Sequence, residues 1–143
     1  MEPAELIAQI RAAFGAVARP SSDNIVDHEC DECVELRDGL LGFPSSELPD
    51  TWFDSNWDQL PLLSDQATQY YLPAYLCFAL RQPDSLAAEF VLYALDSEPQ
   101  DGYTKAQRQA ICDFLAFQRR RLPAGDVFLD DTERAEQRWR IPA

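Results

Sequence analysis

The sequence predicts an all-α fold: a compact single-domain bundle of five to seven helices over residues 1–143, with an irregular, proline-rich middle segment. Apolar residues recur at intervals of three and four along most of the chain, and no segment shows four or more residues of clean two-residue alternation. Helix-start signals precede several of these periodic segments. A length of 143 residues is also typical of one domain.

The first two helices are predicted from proline and glycine positions. Pro3 suits a first helical turn, and the helix it opens is expected to end near Arg19, before Pro20. A second helix is predicted over residues 27–38, with two following glycines ending it. The residues expected on its buried face are Cys30, Cys33, Val34, the stem of Arg37 and Leu41.

Residues 43–63 are predicted to be irregular because three prolines interrupt any longer element, with short helical turns around Trp52 and Trp57. A third long helix is expected after Ser64, whose hydroxyl suits the N-cap position. Pro73 lies inside its apolar pattern and predicts either a kink or two abutting helices.

Three more helices complete the prediction. Asp84 or Ser85 can cap the next one, and Thr104 with Gln107 matches a capping box for the one after it. A last short amphipathic helix is expected over residues 130–140.

Negative charge is concentrated in residues 21–65, called here the acidic segment. It holds twelve acidic residues against one basic residue, Arg37, whereas the rest of the chain holds thirteen acidic and eleven basic residues. The acids are Asp23, Asp27, Glu29, Asp31, Glu32, Glu35, Asp38, Glu47, Asp50, Asp54, Asp58 and Asp65. Such a segment is expected to repel nucleic acid and anionic membranes and to attract basic proteins or cations. The alternative is that these charges only keep a small domain dispersed in water.

Cysteine spacing predicts a possible metal site. Cys30 and Cys33 have C-x-x-C spacing, and the chain's one histidine, His28, precedes them by two residues. Zinc accepts thiolate and imidazole ligands in a tetrahedral arrangement, with Cys77, Cys112 or a carboxylate as a fourth ligand. The alternative is that both cysteines pack inward from one helix face. A redox role is not expected, because the flanking acids should raise the thiol pKa.

Aromatic residues within the acidic segment suggest a docking site. Trp52 and Trp57 lie among acids in the irregular middle, where aromatic side chains can anchor a partner and charges can steer it. The predicted partner-binding residues are Asp23, Asp27, Glu29, Asp50, Trp52, Asp54, Trp57 and Asp58. The alternative is that both tryptophans fold back onto the helical core.

The chain lacks the motifs of most enzyme classes, so the sequence predicts a protein that is not an enzyme. It has no G-x-S-x-G turn, no phosphate-binding glycine loop and no H-E-x-x-H. A carboxylate enzyme remains a third hypothesis, and it requires a pocket holding at least two acids. The basic residues 119–121 are expected to pair with the acidic segment. Tyrosines 70, 71 and 75 are interpreted as structural, bonding carbonyls that Pro73 frees.

The N-terminal residues do not have the pattern of a secretory signal, because acids and an arginine interrupt the apolar run that such a signal requires. No stretch approaches the roughly 20 apolar residues that cross a bilayer. A cytoplasmic location with reduced thiols is therefore expected.

The two motifs, His28-x-Cys30-x-x-Cys33 and Tyr70-Tyr71-Leu72-Pro73-Ala74-Tyr75-Leu76, resemble those of small bacterial proteins known only as a domain of unknown function. That resemblance covers roughly residues 10–95 and implies no activity or cofactor. In size and acidity the chain is also similar to bacterial immunity proteins, which neutralise a toxin by covering it. The predicted function is a non-enzymatic immunity-type inhibitor of a basic bacterial toxin or effector. The alternative is a small zinc-stabilised adaptor domain using His28, Cys30 and Cys33.

Overall fold

Seven α-helices form the part of the chain that the computed structural model describes, residues 1–97, 99 and 101–140. They are α1 (Pro3–Phe14), α2 (Asp31–Leu41), α3 (Asp50–Asn56), α4 (Asp65–Arg81), α5 (Leu86–Leu95), α6 (Lys105–Arg121) and α7 (Leu129–Trp139). Short 3₁₀ turns lie at Ser22–Asn24, Ser45–Glu47 and Leu60–Leu62. These residues contain no strand beyond one isolated antiparallel bridge between Val26 and Leu63. The all-α prediction is confirmed.

Side-chain caps begin three of these helices where the sequence predicts them. The Ser64 and Ser85 hydroxyls accept hydrogen bonds from backbone amides three residues on, at 3.0 and 3.1 Å. Thr104 and Gln107 form the predicted capping box, in which each side chain accepts from the other's backbone amide. A cap satisfies amides that have no partner inside the helix, so these starts are encoded locally.

The predicted start of α2 is wrong by four residues. The helix begins at Asp31 instead of Asp27, with Cys30 as its N-cap. Residues 26–30 are not helical: Val26 bridges Leu63, and the Ser64 amide donates to the Ile25 carbonyl oxygen at 2.8 Å. This contact joins residues about forty positions apart, so no local sequence pattern predicts it.

The predicted buried face and end of α2 also need correction. Its buried residues are Cys33, Leu36 and Leu40, whereas Cys30 and Leu41 are exposed. The helix continues through Gly39 to Leu41, and Gly39 packs against the Trp52 ring of α3. Of the two cysteines, only Cys33 reaches the core.

The ends of α1 and the course of α4 differ from their predictions. α1 ends at Phe14, before Gly15, instead of near Arg19, because glycine has weak helix propensity. α4 is one helix across Pro73, so the alternative of two abutting helices is wrong. Pro73 and nearly all residues from 71 to 80 are buried. Proline has no backbone N–H to donate, which weakens a helix at that point. Burial on several sides of α4 offsets this loss.

One hydrophobic core includes residues from all seven helices. α1 packs on α4 and α6, α7 packs on α6 and α5, and α5 packs on α4, so α4 lies at the centre. The acidic segment, which includes α2 and α3, leads into α4. No helix within the described residues is long and apolar enough to cross a membrane.

Candidate functional site

Two tyrosines on α4 hold the C-terminal ends of α2 and α3. The Tyr71 hydroxyl donates a hydrogen bond to the Leu40 carbonyl oxygen at 3.4 Å, and the Tyr75 hydroxyl donates to the Asn56 carbonyl oxygen at 2.7 Å. Residues four apart on a helix share one face, so one stripe of α4 holds both helices. Burial raises the pKa of both tyrosines, which therefore stay protonated and able to donate at neutral pH.

A third tyrosine on α4 holds the turn between those helices. The Ser45 backbone amide donates to the Tyr70 hydroxyl oxygen at 3.2 Å. The structural role predicted for the three tyrosines is confirmed, but the hydrogen-bond partners predicted for their hydroxyls are wrong. Their hydroxyls bond the backbone of α2, of the Ser45–Glu47 turn and of α3, instead of carbonyls freed by Pro73.

α2 and α3 contact each other directly. The ring of Trp52 lies so close to Gly39 that a β-carbon placed there would fall 2.7 Å from the ring atom Cζ3. Past the end of α3, the Gln59 side-chain amide donates to a Glu32 carboxylate oxygen at 3.3 Å and to an Asp58 carboxylate oxygen at 3.1 Å. The acids of the two helices are therefore held on neighbouring elements. We call Asp31, Glu32, Glu35, Asp38, Asp50, Asp54 and Asp58 the acidic surface.

The predicted partner-binding carboxylates are mostly exposed. Asp23, Asp27 and Glu29 lie exposed before α2, Asp54 lies exposed on α3, and Asp58 is half-buried. The remaining one, Asp50, is exposed but accepts a hydrogen bond from the protein's own Arg81 at 2.8 Å. The structure thus places two of these carboxylates, Asp50 and Asp54, on one helix, with Asp58 just beyond it.

Trp52 and Trp57 are both half-buried at the edge of the core. The Trp52 indole N–H is buried and has no hydrogen-bond partner within the described ranges. Trp57 meets the Phe90 ring edge-on, with the ring centroids 5.8 Å apart, and Phe90 in turn lies 5.6 Å from the Tyr93 ring. Each indole therefore contributes to the core and still exposes part of its ring.

Three exposed apolar side chains near α2 and α5 were not predicted from the sequence. Leu41 and Phe43 follow the buried face of α2 and are 42% and 37% exposed, and Tyr93 on α5 is 62% exposed. Leu41 was expected to face the core. Leu41 is exposed because Cys33, Leu36 and Leu40 form the buried face of α2, and Leu41 lies outside that face.

Most of the acidic segment is not neutralised by the protein's own cations. Within the described residues, two of its twelve acids form ion pairs, Asp38 with Arg37 and Asp50 with Arg81. Three others, Asp31, Glu32 and Asp65, lie in first helical turns, where the helix dipole favours negative charge. Charge in this segment therefore remains available to an external partner.

Two arginines at the end of α6 pair with acids outside the acidic segment. Arg119 contacts Glu136 at 2.9 Å and Arg121 contacts Asp84 at 3.8 Å, so the prediction that this cluster pairs with the acidic segment is wrong. α6 packs on α7, which places Glu136 within reach of Arg119. Arg119 and Arg121 are therefore paired away from the acidic segment, whereas Arg37 and Arg81 pair within it.

A cavity of about 500 Å³ contains three carboxylates of the kind that the carboxylate-enzyme hypothesis requires. Asp27, Asp65 and Asp96 contribute to its lining. Hydrogen bonds from Arg134, and secondarily Arg138, hold the pKa of Asp96 below its usual range. Asp96 therefore forms ion pairs and is unsuited to proton transfer. Asp27 and Asp65 remain as candidate catalytic acids in this cavity. Catalysis by these two acids stays a hypothesis.

Cys30 and Cys33 lie at the N-terminus of α2 in different environments. Cys30 is the exposed N-cap and Cys33 is buried, with their Sγ atoms 2.9 Å apart. The Cys33 amide also donates to the Cys30 sulfur at 3.4 Å. The prediction that both cysteines pack inward is wrong for Cys30, because α2 begins one residue after it.

The two thiol pKa values move in opposite directions. The hydrogen bond between the two thiols, helped by the Cys33 amide, lowers the pKa of Cys30, although desolvation and the Glu32 charge oppose the shift. The same thiol contact, together with burial, raises the pKa of Cys33 to about 11. The Glu32 charge raises the pKa of both thiols, as predicted, but at Cys30 the hydrogen bonds outweigh it, so the expected net rise is wrong for that thiol.

The structure does not gather the predicted zinc ligands into a site. No group of three potential ligands that could hold a metal is found among the residues described. His28 is exposed, while the other cysteines lie on α4 and α6. Zinc binding through His28, Cys30 and Cys33 stays a prediction, which metal analysis tests directly.

The comparisons with known proteins found no match: no protein-family model, no curated protein and no solved structure matches the chain. The resemblance to the family of unknown function and the likeness to immunity proteins therefore stay predictions. The acidic surface and the cysteine pair are the features from which a function can be inferred.

Proposed function

We propose that the chain is a non-enzymatic binding protein whose acidic segment docks on a basic protein, in the manner of an immunity-type inhibitor of a bacterial toxin or effector. One observation carries the proposal. Ten of the twelve acids in the segment make no ion pair within the described part of the chain. Unpaired negative charge of this density attracts cationic proteins over distances of about a Debye length, roughly 8–10 Å at physiological salt.

The fold supports this role by holding the acids on fixed backbone. Tyr71 and Tyr75 bind the ends of α2 and α3 to the buried central helix, and the contact between Gly39 and Trp52 sets the spacing of the two helices. A binding surface on rigid elements loses less conformational entropy on association than a mobile loop does.

Steering and anchoring would come from different residues. Asp54 and Asp58, with the exposed acids before α2, would accelerate the encounter with a basic partner. The exposed parts of Trp52 and Trp57, and the neighbouring Tyr93, would supply the apolar contacts that slow dissociation. A cationic substrate-binding cleft is the matching surface on a toxin, and covering it blocks substrate without chemistry. Nucleic acid and anionic membranes would be repelled.

The proposal is tested by affinity capture from the source organism with three forms of the chain. The test variant, Asp54→Asn with Asp58→Asn, removes two charges from the acidic surface. The matched control, Asp130→Asn with Glu133→Gln, removes two charges from α7, where both side chains are exposed. We expect the wild type and the control to retain a protein of basic isoelectric point, and the test variant to retain much less of it.

Two results would count against the proposal. One is a captured partner that is neutral or acidic. The other is equal loss of the partner in the test and control variants, which would mean that total charge matters and the acidic surface does not. Circular dichroism of all three forms checks that the substitutions leave the helices intact.

A further inference from the structure

We propose that Cys30 and Cys33 form a thiol–disulfide exchange site that reacts preferentially with neutral or cationic disulfides. The inference does not depend on the proposed binding function. It rests on the geometry of two sulfur atoms at the start of α2, one exposed and one buried, and on the negative charge around them.

The sulfur atoms are already close enough to join. They lie 2.9 Å apart, against about 2.05 Å in a disulfide bond, so roughly 1 Å of movement closes the bond. Cys30 is outside the helix, with extended backbone at φ −65° and ψ 160°, and Cys33 is in its first turn. Side-chain rotation at the helix terminus can therefore supply most of the movement without displacing α2 from the core.

The different exposure of the two sulfurs assigns each a step. Cys30 is accessible to an external disulfide, and the Cys33 amide donates a hydrogen bond to its sulfur at 3.4 Å. The Cys30 thiolate attacks one sulfur of the disulfide, forming a mixed disulfide and releasing one thiolate. Cys33, shielded from bulk disulfides but next to Cys30, then attacks the Cys30 sulfur, and its proton passes to the departing thiolate.

That second attack releases the other half of the external disulfide and closes the Cys30–Cys33 bond. The dithiol loses two electrons and two protons, and the external disulfide gains two electrons and becomes two thiols. The disulfide reactant is the oxidant, so no further redox partner is needed.

Charge around the site selects among disulfides. The exposed carboxylates of Glu29, Asp31 and Glu32 are within two residues of Cys30 in sequence. They repel an anionic reagent such as glutathione disulfide and attract a dication such as cystamine. A disulfide on a basic protein surface has the same favourable charge as cystamine.

The other two cysteines serve as internal controls. Cys77 is buried in α4 and Cys112 is half-buried in α6. Burial raises the pKa of both thiols, which disfavours the reactive thiolate. Replacing Cys112 with alanine should therefore leave disulfide exchange unchanged.

The test treats the reduced 143-residue chain, in the presence of a chelator, with cystamine or with glutathione disulfide near neutral pH. Peptide mapping by mass spectrometry should locate one new disulfide between Cys30 and Cys33. Relative to an unstructured cysteine peptide, cystamine should react about tenfold faster than glutathione disulfide at low salt. High salt should bring the two rates together.

Variants separate the two steps. In Cys33→Ala, Cys30 should accumulate a mixed disulfide with one cysteamine, because no second thiol resolves it. In Cys30→Ser, which keeps a good N-cap residue, Cys33 should stay reduced. Oxidation at Cys112, no bond between Cys30 and Cys33, or equal normalised rates for the two reagents would overturn the proposal.

Discussion

Replacing Gly39 with alanine tests whether α2 and α3 are held together through Trp52. In an open helix position the change should stabilise the protein by about 1 kcal/mol, because alanine has the higher helix propensity. At Gly39 the added carbon would meet the Trp52 ring at 2.7 Å, a distance that forces the ring or the helix to move. Overpacking of this kind costs about 1–3 kcal/mol, so we expect a net destabilisation of about 1 kcal/mol.

The assay is urea unfolding followed by circular dichroism, with tryptophan fluorescence reporting displacement of the ring. Gly42→Ala is the matched control, since its added carbon would have only an ordinary contact, 3.8 Å from the Gly39 carbonyl oxygen. The control should be neutral or slightly stabilising. A shorter ring in Trp52→Phe should relieve the clash, so the two substitutions should couple favourably. Equal stabilisation by both alanines would refute the contact.

Further predictions concern the tyrosine bonds, the ion pairs of Asp96 and the metal content. Tyr75→Phe should destabilise the protein by about 1–2 kcal/mol, because the hydrogen bond from this buried side chain to the Asn56 carbonyl is lost, whereas the exposed Tyr93→Phe should have little effect in the same unfolding assay. The lowered pKa of Asp96 gives stability that is complete above the unfolded-state pKa of about 4 and is lost as pH falls through the folded-state value. Asp96→Asn should therefore lower the melting temperature at pH 7, with the deficit shrinking in acid. Less than about a tenth of an equivalent of zinc in untagged protein would remove the zinc hypothesis.

Local signals in the sequence predicted the parts of the fold that depend on neighbouring residues. The caps at Ser64, Ser85 and Thr104 were predictable because each side chain bonds an amide three residues away. The all-α class followed from apolar spacing for the same reason. Pro73 misled the prediction because its cost in a helix is offset by burial, which depends on the whole core.

The candidate site was less predictable because long-range contacts shape it. The bridge between Val26 and Leu63 delays the start of α2, and that delay moves Cys30 from the helix interior to the exposed cap. The opposite thiol pKa shifts follow from this placement. Arginine pairing was equally hidden, since Arg119 meets Glu136 only after α6 and α7 pack together.

The most direct test of the central claim is the salt dependence of association between the chain and its captured partner. We expect the association rate of the wild type to fall by about tenfold or more between low salt and about 0.5 M salt, because salt screens its charges. Asp54→Asn with Asp58→Asn should associate more slowly at low salt and converge with the wild type at high salt. A wild-type rate that does not change with salt would contradict docking through the acidic segment.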